Sequence, residues 1–200
     1  VLPAERSLAK ALGVTRPTLR EALQRLERDG WLSINQGKPT RVRDYWRDGG
    51  LNVLHAIVQY GGSLPPDFVT KLLEVRLAMA PAYVRAAVDH NPQPVIAHLE
   101  GHAALDDTPA AFASYDWALH HILTVASGNP VYTLILNGFA GFYERIAQHY
   151  FARSEARHAS FAYYAALLPL VRSGEAADAE RLSREVMQAS ISLWERAQAR

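Results

Sequence analysis

From Leu51 onward no stretch alternates apolar and polar residues long enough to make a convincing strand. Apolar residues recur instead at helical spacing, between short breaks: Gly61-Gly62-Ser63-Leu64-Pro65-Pro66, Asn91-Pro92, Thr108-Pro109, Ser127-Gly128-Asn129-Pro130, Arg153-Ser154 and Ser173-Gly174. The pattern predicts helices over 65–90, 93–106, 109–127, 130–152, 155–173 and 176–198. Connections this short make successive helices antiparallel neighbours, so three quarters of the chain should be one all-α bundle. With 49% hydrophobic residues there is enough apolar surface for a core. The longest nearly unbroken apolar run, 161–171, is about half of the ~20 residues a membrane-spanning helix needs, and no membrane partner is expected. There is no cysteine, which excludes disulfides, thiolate metal sites and a thiol nucleophile.

The first fifty residues are different. Residues 1–47 hold ten Lys and Arg against five Asp and Glu, whereas residues 48–200 hold eleven against fifteen. A basic head on an acidic body suits a nucleic-acid-binding module joined to a regulatory or assembly domain. The head reads as two helices and a hairpin. The first helix covers 4–12 and stops at Gly13; Thr15 caps a second that carries Pro17 in its first turn and runs to about Asp29. Leu19, Ala22, Leu23 and Leu26 follow i, i+3, i+4, i+7, predicting one buried stripe. Strands over 31–35 and 40–42 flank Gln36-Gly37-Lys38-Pro39 as a hairpin with a basic tip. The fold class is thus mainly α: a winged helix-turn-helix head (1–43), a linker (44–50) and an antiparallel helical bundle (51–200).

In a helix-turn-helix the N-terminal end of the second helix reaches base edges in the major groove. With the leucines turned inward, Arg16, Thr18 and Arg20 occupy the outer face there. Arg can bond guanine bidentately, and Thr suits a thymine methyl or a phosphate. Arg6 stands early in the first helix, placed for the same groove or its backbone.

The succession Leu2-Pro3-Ala4-Glu5-Arg6, Leu8-Ala9, Leu12-Gly13-Val14-Thr15-Arg16, Thr18-Leu19-Arg20-Glu21-Ala22-Leu23 and Asp29-Gly30-Trp31-Leu32 resembles the winged helix-turn-helix of GntR-family transcription regulators. The resemblance implies a cytoplasmic, homodimeric DNA-binding protein on a double-stranded operator and no enzymatic activity. It implies major-groove contacts from Arg6, Thr15, Arg16, Thr18 and Arg20, with Gln36, Gly37 and Lys38 as the wing tip in the minor groove. The family has a further helix and strand before Leu2. A chain starting at Val1 is therefore expected to be a piece of a longer one, with the second helix short of part of its cover.

Further stretches are similar to a fatty-acid-responsive branch of that family: Gly37-Lys38-Pro39-Thr40, Gly50-Leu51-Asn52, Leu134-Ile135-Leu136-Asn137-Gly138 and His149-Tyr150-Phe151-Ala152. The branch implies a regulatory domain that binds long-chain acyl-CoA and releases the operator. Tyr143, Tyr150, Tyr164, Arg184, Ser190 and Trp194 match its pocket positions. An acyl chain needs a long apolar tunnel, and Phe139, Phe142, Tyr143, Ile146 and Tyr150 share one face of the helix expected over 130–152. Met187, Ile191 and Trp194 line the last helix, and Arg76 or Arg184 would pair with phosphates. Gly138-Phe139-Ala140-Gly141 lies inside the expected helix.

The alternative is a metal-binding GntR class responding to a small carboxylate. Asp116 and His120 have the family's Asp-x-x-x-His spacing, which puts both on one helix face. The two later ligand positions align with Tyr164 and Val186, and two ligands are too few for a tight site. No phosphate loop, His-Glu-x-x-His motif or nucleophile elbow points to catalysis.

Overall fold

A computed structural model describes residues 1–60 and 67–198 of the chain. It divides into two units, Val1–Ser63 and Leu64–Arg200.

In the first unit, α1 (Glu5–Leu12) ends at Gly13, whose φ of 67° is the left-handed conformation that glycine adopts without steric cost. α2 (Arg16–Arg28) begins where Thr15 Oγ1 accepts the Thr18 N–H at 3.3 Å, with Pro17 at a position that needs no donor. Leu19 and Leu23 of α2 are buried against Ala9 and Leu32, with Leu8, Trp31 and Ile34 packed around them. The expected four-residue stripe is narrower than its spacing suggested. Ala22 is exposed and Leu26 is 40% exposed, because α2 packs on α1 and one short strand and those cover only the Leu19–Leu23 edge. That strand, β1 (Leu32–Ser33), pairs antiparallel with β2 (Arg41–Val42), Leu32 facing Val42. Between them Lys38 N–H closes a turn on Asn35 O at 3.0 Å, forming the wing.

Residues 44–50, expected as a linker, contain a helical turn, α3 (Tyr45–Asp48), and α4 (Leu51–Tyr60) groups with the head rather than with the bundle. Gly30 is the reason. At φ 94° it lets the chain pass so close that a Cβ there would lie 3.3 Å from the Asp48 carbonyl and 3.9 Å from the Val53 side chain. The segment is held against the head by backbone packing.

The second unit is helical throughout its described residues: α5 (Phe68–His90), α6 (Gln93–Leu99) followed by a 3₁₀ turn (Glu100–Ala104), α7 (Pro109–Ala126), α8 (Pro130–Asn137), α9 (Ala140–Phe151), α10 (Ser154–Ser173) and α11 (Ala176–Gln198). Thr108 and Asn129 cap α7 and α8 by accepting N–H bonds from Ala111 and Val131. α5 and α11, first and last in sequence, pack along each other, while α7 lies against α5 and α9 and α10 against α11 and α6. Val84, Leu99, Leu119, Leu123, Tyr164, Leu167 and Met187 are sealed inside.

Two expected helices differ. The helix of 130–152 breaks at Gly138-Phe139, so that this run lies between helices. Both residues keep right-handed dihedrals (φ −62° and −94°), which is why the apolar period passes through the break undisturbed. The helix of 93–106 tightens to 3₁₀ after Leu99. The break expected over 61–66, with the helix start at Pro65, lies outside the described residues. Among the described residues no helix is long and apolar enough to cross a membrane.

Candidate functional site

The head presents its candidate contacts to solvent. Arg6, Thr15, Arg16, Thr18 and Arg20 are exposed, as are Gln36, Gly37 and Lys38 at the wing tip. Two have local duties as well. Thr15 and Thr18 join hydroxyls at 2.8 Å, which stiffens the first turn of α2, and Arg20 pairs with Glu5 of α1 at 3.1 Å. Arg16 thus stands beside a helix N-terminus whose N–H groups and dipole favour a phosphate.

The bundle does the opposite and draws charge inward. Asp116 of α7 is 2% exposed and accepts a hydrogen bond from the Tyr164 hydroxyl at 2.9 Å and a short one from the Tyr143 hydroxyl. The Arg76 guanidinium of α5 lies 3.5 Å from the same carboxylate, and its Nε donates to Met187 Sδ of α11. One turn along α7, His120 Nε2 is 3.7 Å from Asp116, while its Nδ1 lies 2.7 Å from the Tyr83 hydroxyl. A proton on Nε2, facing the carboxylate, is the favoured tautomer, with Tyr83 donating to Nδ1.

Burial opposes charge on His120 and, with Arg76 adding to it, outweighs the pull of Asp116, so its pKa falls to about 4. Burial also opposes the Asp116 charge, but His120, Arg76 and the two tyrosine hydroxyls outweigh it and hold that pKa below the ordinary carboxylate value. Burial works against Arg76 too, and Asp116 together with Tyr143, Tyr150 and Tyr83 more than offsets it. At neutral pH the cluster is an ion pair, a neutral imidazole and protonated tyrosines. Burial, then Asp116, push the Tyr143 and Tyr164 hydroxyls well above their ordinary range.

Against this cluster opens an apolar cleft between α5, α8 and α9. All five residues of the expected aromatic face, Phe139, Phe142, Tyr143, Ile146 and Tyr150, line it, opposite Leu72 and Leu73, with Arg76, Tyr83 and His120 at one wall. Its volume is ≈ 110 Å³. That is less than the ~150 Å³ cavity that accepts a single benzene. Beyond Tyr150 lies a second cavity of ≈ 280 Å³, lined by Tyr150, Arg153, Glu155, Ala156, Leu193, Trp194 and Arg196. Trp194 lies tilted against Tyr150 at 6.4 Å between centroids, and Ser190, beside the Tyr150 hydroxyl, donates to Val186 O.

The structure therefore brings Arg76, Tyr143, Tyr150, Tyr164, Ser190 and Trp194 into one contiguous region. Arg184 is not part of it: it is exposed and pairs with Glu180 at 3.0 Å. Tyr83 was missed in the sequence, where a tyrosine inside an apolar helix carries no mark of its imidazole partner. Asp116 and His120 do lie side by side, but the Asp116 oxygens serve Arg76 and two tyrosines, and a guanidinium at the carboxylate repels a second cation. Among the described residues no three His, Asp or Glu gather as metal ligands.

A winged helix-turn-helix unit followed by a helical unit with an apolar cleft is a build of DNA-binding transcription regulators. Residues 1–42 match the bacterial regulatory proteins of the gntR family and residues 43–200 match the FadR C-terminal domain. The chain belongs to the gntR family of bacterial regulatory proteins, in the group that carries a FadR C-terminal domain. It is 43% identical to the fatty acid metabolism regulator protein of Shewanella frigidimarina, across 98% of this chain and 82% of that one. It is 44% identical to the Shewanella oneidensis protein of the same name, across 97% and 81%. These relatives are named as regulators, not enzymes. In fold it is similar to Lar, which controls expression of the Listeria monocytogenes agr system (TM-score 0.61, 16% identity, 98% of this chain and 89% of that one).

Proposed function

We propose that this chain is a homodimeric, cytoplasmic regulator of fatty acid metabolism genes that leaves its operator when long-chain acyl-CoA fills the cleft of the second unit. Arg16, with Arg6, Thr18 and Arg20, reads the major groove from the exposed end of α2, and Lys38 carries the wing into the minor groove. Tyr143 and Tyr150 border the acyl chain, and Ser190 and Trp194 lie towards the thioester.

The observation that carries the reading is the cleft: an almost wholly apolar, aromatic-faced space built by α5, α8 and α9 and too small as it stands for a long chain. Filling it must part α8 and α9 from α5, which gives the ligand a conformational consequence. By linkage, a ligand that weakens DNA binding binds the DNA-bound state more weakly by the same factor. Clearing a mostly occupied operator takes a factor of about 100 to 10,000. Burying about four methylenes in one state only, at ~0.8 kcal/mol each, supplies the lower part of that range.

The test is a titration of octanoyl- and oleoyl-CoA against the protein–operator complex. Oleoyl-CoA should dissociate it and octanoyl-CoA should do so less well. Dissociation by a small carboxylate with a divalent metal, and by neither thioester, would overturn the reading.

A further inference from the structure

Where the apolar cleft meets the buried cluster, most polar groups already have partners. Arg76 is held by Asp116 and by Met187 Sδ, while Tyr143 and Tyr164 donate to Asp116. Tyr83 occupies His120 Nδ1. His120 Nε2 is the exception among the described residues of the cluster. It is buried without a hydrogen-bond partner, and Asp116 Oδ2, at 3.7 Å, is too far for a bond. His120 is 1% exposed and lines the cleft, so a molecule in the cleft comes up against this ring.

We propose that His120 selects an acyl chain that carries a mid-chain hydroxyl, with Nε2–H donating to the hydroxyl oxygen and the hydroxyl proton turned to Asp116. The inference rests on the acyl-CoA reading above and narrows its ligand class. Burial keeps His120 neutral with a single N–H, and Tyr83 at Nδ1 leaves that proton on Nε2. A buried donor with no acceptor is costly, and a ligand oxygen would recover that cost. The carboxylate decides which oxygen fits. A ketone would bring only lone pairs towards Asp116, whereas a hydroxyl presents a proton to it. The position on the chain follows from α9. Tyr143 meets Asp116 beside His120, and Tyr150 borders the second cavity, on the side given to the thioester. The two tyrosines are two turns apart on α9, roughly 10 Å at 1.5 Å per residue, which sets His120 well down the chain from the thioester. Elsewhere Leu72, Leu73, Phe139, Phe142 and Ile146 offer a hydroxyl no side-chain partner, so an oxygen on the wrong carbon is buried unpaired.

The experiment measures binding to the purified protein by calorimetry for stearoyl-CoA, its 10-hydroxy and 12-hydroxy derivatives and 10-ketostearoyl-CoA. The better of the two hydroxylated thioesters should bind roughly tenfold more tightly than stearoyl-CoA, and the ketone more weakly than that hydroxylated ligand. His120→Phe keeps a flat ring without the donor and should reverse the order, so that stearoyl-CoA binds more tightly than either alcohol. Tyr83→Phe frees Nδ1 to take the proton and should shrink the preference while His120 stays in place. No gain for either alcohol in the wild type, a ketone that binds as tightly as the alcohol, or a preference that survives both substitutions overturns the inference and leaves the acyl-CoA reading standing. Binding of none of the four thioesters by the wild type overturns both.

Discussion

The two units treat charge in contrary ways. The head keeps its cations on the surface, where Arg6, Arg16 and Lys38 are exposed and the Arg20–Glu5 pair is open to solvent. The bundle hides an arginine, an aspartate and a histidine among tyrosines, each answering the others. Surface charges are available to an outside partner and contribute little to folding. Buried ones are consumed internally, so their loss falls on stability first. One chain thus separates charges left open to an outside partner from charges spent inside the fold.

That contrast breaks most visibly at Asp116. Asp116→Ala leaves the Arg76 charge without its counterion and two tyrosine hydroxyls without their acceptor, and should cost about 3–5 kcal/mol in urea unfolding of the bundle. A loss below ~1 kcal/mol would mean that the cluster is wet and the contrast false. Next comes acid. His120 is neutral when folded, with a pKa near 4 against an ordinary value of 6.5, so the unfolded chain takes up a proton that the folded one refuses. Stability is complete above pH 6.5 and falls by roughly 3 kcal/mol as pH drops towards 4. Asp116, with its lowered pKa, keeps its contribution until the pH falls below 3.8. Unfolding midpoints at pH 7, 5.5 and 4.5 measure this, and His120→Gln should flatten the slope; an unaltered slope would clear His120 of the effect.

On the head the effects move from stability to binding. Arg16→Ala should cost about 1–3 kcal/mol on operator DNA and relax base preference, while Lys38→Ala weakens operator and random duplex more evenly and lowers the salt slope by about one. Equal losses on both DNAs for Arg16→Ala would remove it as a base reader. The smallest changes are structural ones in the same unit. Thr15→Ala should lower head stability by ~1 kcal/mol through loss of the cap, and Glu5→Ala by less than that, since an exposed pair contributes little.

How much of this was legible in the sequence follows the same division. The turn at Gly13, the Thr15 cap and the exposed face of α2 are local, written within a few residues, and the structure has them where the spacing put them. The aromatic face from Phe139 to Tyr150 was legible too, because a break with right-handed dihedrals does not shift its phase. That break itself was invisible for the same reason. What no local pattern carries is the meeting of Arg76, Asp116 and Tyr164: they are separated by dozens of residues and joined only when α5, α7 and α10 assemble. The helical turn at Tyr45–Asp48 was not legible either, because the close approach of Gly30 to Asp48 joins residues far apart in sequence.

The lengthwise pairing of α5 with α11 bears on the order in which the protein takes shape on the ribosome. The described residues of the first unit, 1–60, have all been made once Tyr60 has emerged. The second cannot close its core until Met187 and Trp194 arrive to cover the helix made first. At translation rates of roughly 5–20 residues per second that interval is on the order of ten seconds. Throughout it a folded, basic, DNA-competent head would trail an unfinished bundle whose aromatic face is bare, and that stretch of nascent chain is where a chaperone would be needed.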